Sequence, residues 1–139
     1  MADGFALSLQ KGVRAALAAD AGVSALVGTR IYDEPPQDVT FPYVRFNDIS
    51  PSAYDTDTTE GAEVTLSLQA HSRSASGRVE AVQIAEAIKD ALHRQEASVT
   101  VAGHDLLEVI YQTFSATRDA DGRGYTAVIV FQATLEKTA

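Results

Sequence analysis

The residues of this chain whose types can do acid–base or metal chemistry are few: the histidines His71, His93 and His104, and the acids Asp55, Asp57 and Glu60 in one short polar stretch. The histidines fall at a strand end, a helix end and a turn. No pair has the spacing of a helical zinc site, and the chain has no cysteine to complete one, so they read as ordinary surface side chains. Asp119, Asp121 and Gly122 in DADGRG have the look of a calcium loop, but Thr117 stands at the preceding ligand position and Val128 where the closing glutamate belongs. GVSALVG lacks the Lys-Ser/Thr ending of a phosphate loop, and no serine sits in a G-x-S-x-G elbow. Asp55, Asp57 and Glu60 have no apolar surroundings to move their pKa values toward catalytic use. No catalytic residue, metal site or cofactor is expected, which shifts the weight toward assembly or binding.

Composition narrows the class further. At 139 residues the chain is long enough for one core and short for two, so a single domain over 1–139 is expected. With 45% hydrophobic and 22% charged residues it is globular in character. The net charge of −8 argues against gripping phosphate backbones, which rests on Lys and Arg, and suits a surface that nucleic acid slides past. The first residues lack the apolar core of a secretory signal, and no apolar run approaches the roughly 20 residues that span a bilayer. A soluble protein made in the cytoplasm, without a membrane partner, is expected.

The elements that would position any site follow from periodicity. Phe5, Leu9, Val13, Ala16 and Leu17 recur at helical spacing, with Gly12 as a weak point. Asp20 can cap a short second helix that stops at Gly28. Residues 30–32 read as a short extended piece, and the run after Pro42 as a partly exposed strand with Val44 and Phe46 on one side. SPSAYDTDTTEGA has almost no apolar residues and reads as a loop. Residues 63–71 alternate cleanly: Val64, Leu66, Leu68 and Ala70 form one face, and Glu63, Thr65, Ser67 and Gln69 form a polar one expected to stay out of the core. A helix over 76–93 carries Ala81, Ile84, Ala85, Ile88 and Leu92, and SVTVAG, 106–119 and 124–136 read as strands, the last two joined by the DADGRG hairpin. The sum is an α+β fold: a mainly antiparallel sheet with helices packed on one face and a polar opposite face.

Pro35, Pro36 and Pro42 make residues 34–42 a stiff connection that cannot be a central strand, because each lacks an N–H and restricts the residue before it. Such a segment can hold an edge at a fixed angle, or it can be an ordinary surface turn.

Four stretches now form a pattern: LQKGVRAALAADAGVSALVGTRIYDEPPQ with FPYVRF, then EVTLSLQAHS, then EAVQIAEAIKDALH, then YQTFSATRDADGRGYTAVIVFQATL. Over about residues 5 to 135 it resembles the tail completion or tail terminator proteins of long-tailed bacteriophages and gene transfer agents. The most specific parts are V-G-x-R-I-Y-D-x-P-P, P-Y-V and R-D-x-D-G. The resemblance implies a tail-terminator-like single domain without enzymatic activity, forming a ring, usually sixfold, at the head-proximal end of the tail tube of a virion or phage-like particle. The implied partners are further copies of itself, the tail tube protein and a head-completion or connector (stopper) protein, with DNA passing through the lumen without specific binding.

A ring subunit needs two different surfaces for its neighbours. The expected contact residues for subunit or tube are Pro36, Gln37, Tyr54, Asp55, Asp57 and Glu60, and the expected lumen-facing residues are Glu63, Thr65, Ser67 and Gln69. The alternative of a different class is a monomeric ligand-binding or hydrolytic α+β domain with a pocket beneath the polar face.

Overall fold

In the computed structural model, residues 4–55 and 58–138 are described. The chain opens with α1 (Phe5–Ala19) and α2 (Ala21–Val27). Asp20 ends the first helix and caps the second, its carboxylate accepting from Val23 N at 3.0 Å, and Gly28 stops α2 at φ 60°. Gly12, a helix weakness in the sequence, has a packing reason: a Cβ there would stand 2.3 Å from the carbonyl oxygen of Thr100. The missing side chain lets the 99–101 segment lie directly on α1.

The strands are β1 (Ile31–Tyr32), β2 (Tyr43–Ala53), β3 (Gly61–Ser72), β4 (His104–Arg118) and β5 (Tyr125–Lys137), with α3 (Val79–Leu92) between β3 and β4. They form one sheet in the order β1-β2-β3-β5-β4, antiparallel except for β1 on β2. The chain therefore crosses under the sheet through α3, lays β4 on the far edge, and returns in β5 between β3 and β4. All three helices cover one face. There Leu9, Val13 and Leu17 of α1 and Ile84, Ile88 and Leu92 of α3 are buried together with Leu66, Leu68, Ile129, Phe131 and Leu135 of the central strands. The expected α+β class and two-faced sheet are what the structure has.

Two sequence readings are corrected. The loop read from residue 50 is strand as far as Ala53, because Ser50, Pro51, Ser52 and Ala53 pair with Thr65, Val64, Glu63 and Ala62. A bulge between Phe46 and Asp48 hides this: it inserts one residue, so the helix-side positions pass from Val44 and Phe46 to Ile49, Pro51 and Ala53. SVTVAG is not a strand. Residues 96–98 form a 3-10 turn, and Val99 and Val101 are buried from an irregular segment against α1.

The segment between α3 and that turn also closes part of the β4 edge. Arg94 N donates to Val109 O (2.8 Å), Val109 N to Glu96 Oε1 (3.1 Å) and Tyr111 N to His93 Nδ1 (3.0 Å). His93 is thus an edge cap for a strand and not an idle surface side chain.

Candidate assembly surface

The face opposite the helices is open. It is built from every second residue of β2, β3, β5 and β4, and the cross-strand register sets Glu63, Thr65, Ser67 and Gln69 beside Thr134, Gln132, Val130 and Val128, with Ile110, Thr113 and Ser115 next in line. Glu63 accepts from Gln132 Nε2 at 3.0 Å, and Thr65 is exposed. Ser67 departs from the expected exposure. It is only 6% accessible, because Asn47 of the bulge lays its carboxamide over it and donates to Ser67 Oγ at 3.0 Å. Gln69 continues this network, donating to Asn47 Oδ1 at 3.1 Å.

The two long hairpins mark opposite ends of this face. At one end the β2–β3 connection carries Tyr54, 51% exposed, and Asp55, which accepts from Gly61 N at 3.2 Å. The side chain of Glu60 is exposed while its carbonyl accepts from Lys137 N at 2.8 Å. Asp57 lies outside the described residues. Gly61 is required here, since a Cβ would meet the Tyr54 carbonyl oxygen at 2.7 Å. The same end collects Glu63, Asp105, Glu108 and Glu136, with Asp105 and Glu136 directly opposed.

The other end holds the β4–β5 turn and the return of the proline segment. Gly122 supplies positive φ (72°), and the Asp119 carboxylate accepts from Thr126 Oγ1, so this loop is a closed hairpin. Among the described residues no cluster of His, Cys, Asp or Glu could hold a metal. Arg73 reaches over the Phe41 ring at 4.2 Å and toward Asp121 at 3.9 Å. The proline segment is pinned at both ends, by Gln10 Nε2 to Asp33 Oδ1 (3.0 Å) and Arg30 Nε to Pro42 O (2.8 Å). Between these pins Pro36 and Gln37 stand exposed, with a turn closed by Val39 N to Pro36 O. Pro36 and Gln37 thus belong to this pinned segment, and Tyr54, Asp55 and Glu60 to the β2–β3 connection.

Sequence reasoning missed His71. It is half-buried, stacked on Tyr43 at 4.8 Å, and bridges Gln69 Oε1 (2.9 Å) and Thr126 Oγ1 (3.1 Å). No local signal announces this, because its partners come from β2, β5 and the β4–β5 turn. Burial pushes its pKa below the usual histidine value; the Asp119 carboxylate acts in the opposite sense and Arg45 adds to the lowering. Burial also raises the Tyr43 hydroxyl, against the pull of Arg45 and Arg73. The unfolded chain protonates His71 at about pH 6.5 while the folded chain resists. Its contribution to stability is therefore full above about pH 6.5 and lost as the pH falls through that value toward the lower folded one. The melting temperature should decline over this window, and His71→Asn should flatten the decline; an unchanged slope in that variant removes His71 as the cause.

Two concavities stand out, and both lie on the helix side. One is lined by Ala16, Ala19, Asp20, Asp90, Ala91, Gln95 and Ser98; the other lies at the root of the β2–β3 hairpin beside Phe5, Pro51 and Ala53. Neither gathers a nucleophile with a base, and neither lies beneath the polar face.

The profile of the family described as "Tail completion protein gp17" matches residues 11–136. A chain in the structure titled "Virion of native gene transfer agent (GTA) particle" superposes with a TM-score of 0.85 at 26% identity, over 96% of this chain and 99% of that one. The bacteriophage SPP1 gp17 protein shares the fold, with a TM-score of 0.57 at 22% identity over 93% of this chain and 89% of its own. No curated protein sequence matches. A profile that runs from the first helix to the last strand, on a fold with this sheet order and this open face, identifies the chain as a member of the tail completion protein gp17 family, a structural and non-enzymatic protein of phage-like tails.

Proposed function

We propose that this chain closes into a ring, a hexamer, at the head-proximal end of a tail tube, where it ends tube growth and joins the tail to the head connector. The observation that carries the reading is the pairing of family membership over residues 11–136 with a sheet whose helix-free face is mainly polar, with Ile110, Val128 and Val130 as its apolar members. A ring of such subunits, helices outward, presents that face to its lumen. Glu63, Thr65 and Gln69 then line the path of DNA, and the chain's net charge of −8 keeps the wall from trapping a polyanion. Ser67, under Asn47, supports the wall and does not touch the path.

The two exposed patches receive different partners in this reading. Tyr54, Asp55 and Glu60 sit at one end of the sheet, suited to meet the tube or the connector stacked above or below the ring. Pro36 and Gln37 project from the pinned proline segment toward a neighbouring subunit. The two concavities described above give a hydrolytic or ligand-binding role no support, since neither brings a nucleophile together with a base.

The test is removal of the gene from a host that makes the particles, with the products imaged directly. Heads without tails, or tubes of uncontrolled length, are the expected outcome. Normal, correctly sized and joined particles would overturn the reading.

A further inference from the structure

The sheet has two edges, and each is covered over only part of its length. On β2, β1 pairs with Val44 and Arg45 and stops; among the described residues no backbone hydrogen bond reaches the outer side of 47–53. On β4, the segment after α3 caps Val109 and Tyr111, and among the described residues no backbone hydrogen bond outside the sheet reaches 112–118 or the shorter stretch 105–107. Exposed half-edges of this length are templates for another strand, and proteins ordinarily blunt them. Here the open halves lie toward opposite ends of the sheet, since β2 is free toward Ala53 and β4 is free toward Arg118.

We propose, resting on the ring reading above, that the occupant of each open half-edge is a second copy of this chain: β4 residues 112–118 of one copy add antiparallel to β2 residues 47–53 of the next. Three features of the sheet select this partner. The first is direction. β2 and β4 run oppositely within the sheet, so two copies in the same orientation bring these edges together antiparallel, and the contact is heterologous, as ring closure requires.

The second is the match of faces. Tyr54 N donates to Gly61 O, so on β2 the alternate residues Ile49, Pro51 and Ala53 turn their backbone groups outward. On β4, the outward sequence of Val109 and Tyr111 passes through the bulge before Thr113 to Phe114, Ala116 and Arg118. Bonding these outward sets together places Ile49 and Pro51 beside Phe114 and Ala116 on the helix side, and Ser50 and Ser52 beside Thr113 and Ser115 on the open side. Apolar thus continues into apolar, and polar into polar. Pro51 offers no N–H, so the added ladder lacks one bond, and longer unselective pairing along this edge is discouraged.

The third is the stagger. The middle of the open half of β2, Ser50, is level with Gln132 of β5, and the middle of the open half of β4, Ser115, is level with Val128, four residues away. At ~3.3 Å per residue that offset is ~13 Å, set against a width of ~19 Å for four strands, and it tilts the strands by ~35° from the ring axis. Closed barrels hold their strands at about 35–45°. The half-covered edges therefore carry the stagger that a closed sheet needs.

The chain has no cysteine, so a pair can be introduced cleanly. In the proposed register Ser50 and Ser115 face each other across the seam on the open side. Particles assembled with the S50C/S115C chain should, after mild oxidation, release a ladder of covalent multimers on a non-reducing gel, and neither single variant should. Ala116→Pro removes an outward N–H without touching the bonds to β5; it should leave the melting of the purified chain unchanged and abolish its incorporation into particles. A ladder from the double variant alone, with loss of incorporation for A116P, supports the proposal. Dimers from S115C alone would replace it with a two-fold β4 pairing. Particles that contain the chain yet give no ladder, or that accept A116P normally, overturn it while leaving the ring reading intact. Particles that form normally without the chain overturn both.

Discussion

Replacing Phe131 with alanine is expected to lower the unfolding free energy by about 3–5 kcal/mol, the range for truncating a buried aromatic. Phe131 is fully buried at the middle of β5, level with Leu66 on one side and Tyr111 on the other, and its ring meets Tyr111 edge-on at 6.2 Å. It touches both halves of the sheet at the point where the helices press on it, so the space left by its removal cannot be closed from one side. Against a total stability of about 5–15 kcal/mol for a domain, that loss is a large fraction. The denaturant midpoint should fall with little change in slope. A loss under about 1 kcal/mol would show that this central position repacks and that Phe131 is not what ties the two halves of the sheet together.

Tyr54→Ala is expected to do the opposite: leave the melting of the isolated chain unchanged and reduce its incorporation into particles by about 30-fold, the size of a 2 kcal/mol interface anchor. Tyr54 is half exposed just past the end of β2, and its backbone is held by the bond from its N–H to Gly61 O. Among the described residues no hydrogen bond holds its side chain. Wild-type levels of the variant in purified particles would remove Tyr54 from the contact with tube, connector or neighbour. Together the two substitutions separate folding from assembly, since Phe131 should fail in both measurements and Tyr54 in one.

Much of the fold was legible because burial repeats at short intervals. The alternation in residues 63–71 and 125–135 set two central strands and their polar face, and the apolar stripes of residues 5–17 and 81–92 set the two main helices; in each, the side chains that decide the element lie within a few residues of one another. The polar character of the open face, with the candidates Glu63, Thr65 and Gln69, came from the same period of two. Where a bulge shifts the period, as at Asn47, the signal fails, and the strand through Ala53 reads as loop. Val99 and Val101 failed for a related reason: alternation in SVTVAG reports burial, and here the burial is against α1 at Gly12 and not in a ladder.

The relations between distant segments belong to the folded chain alone. The half-buried state of His71 depends on Tyr43, Thr126 and Asp119, and the cover on Ser67 depends on Asn47; none of these is near its partner in the sequence. The half-open edges depend on where β1 stops along β2 and where the chain leaving α3 meets β4. Which faces are apolar and which polar is already written in the order of the side chains, because burial follows residue type along each element. Which backbone groups remain unpaired was decided by the fold alone, because every residue but proline carries the same N–H and C=O, and only the arrival of another strand distinguishes one that is satisfied from one that is free.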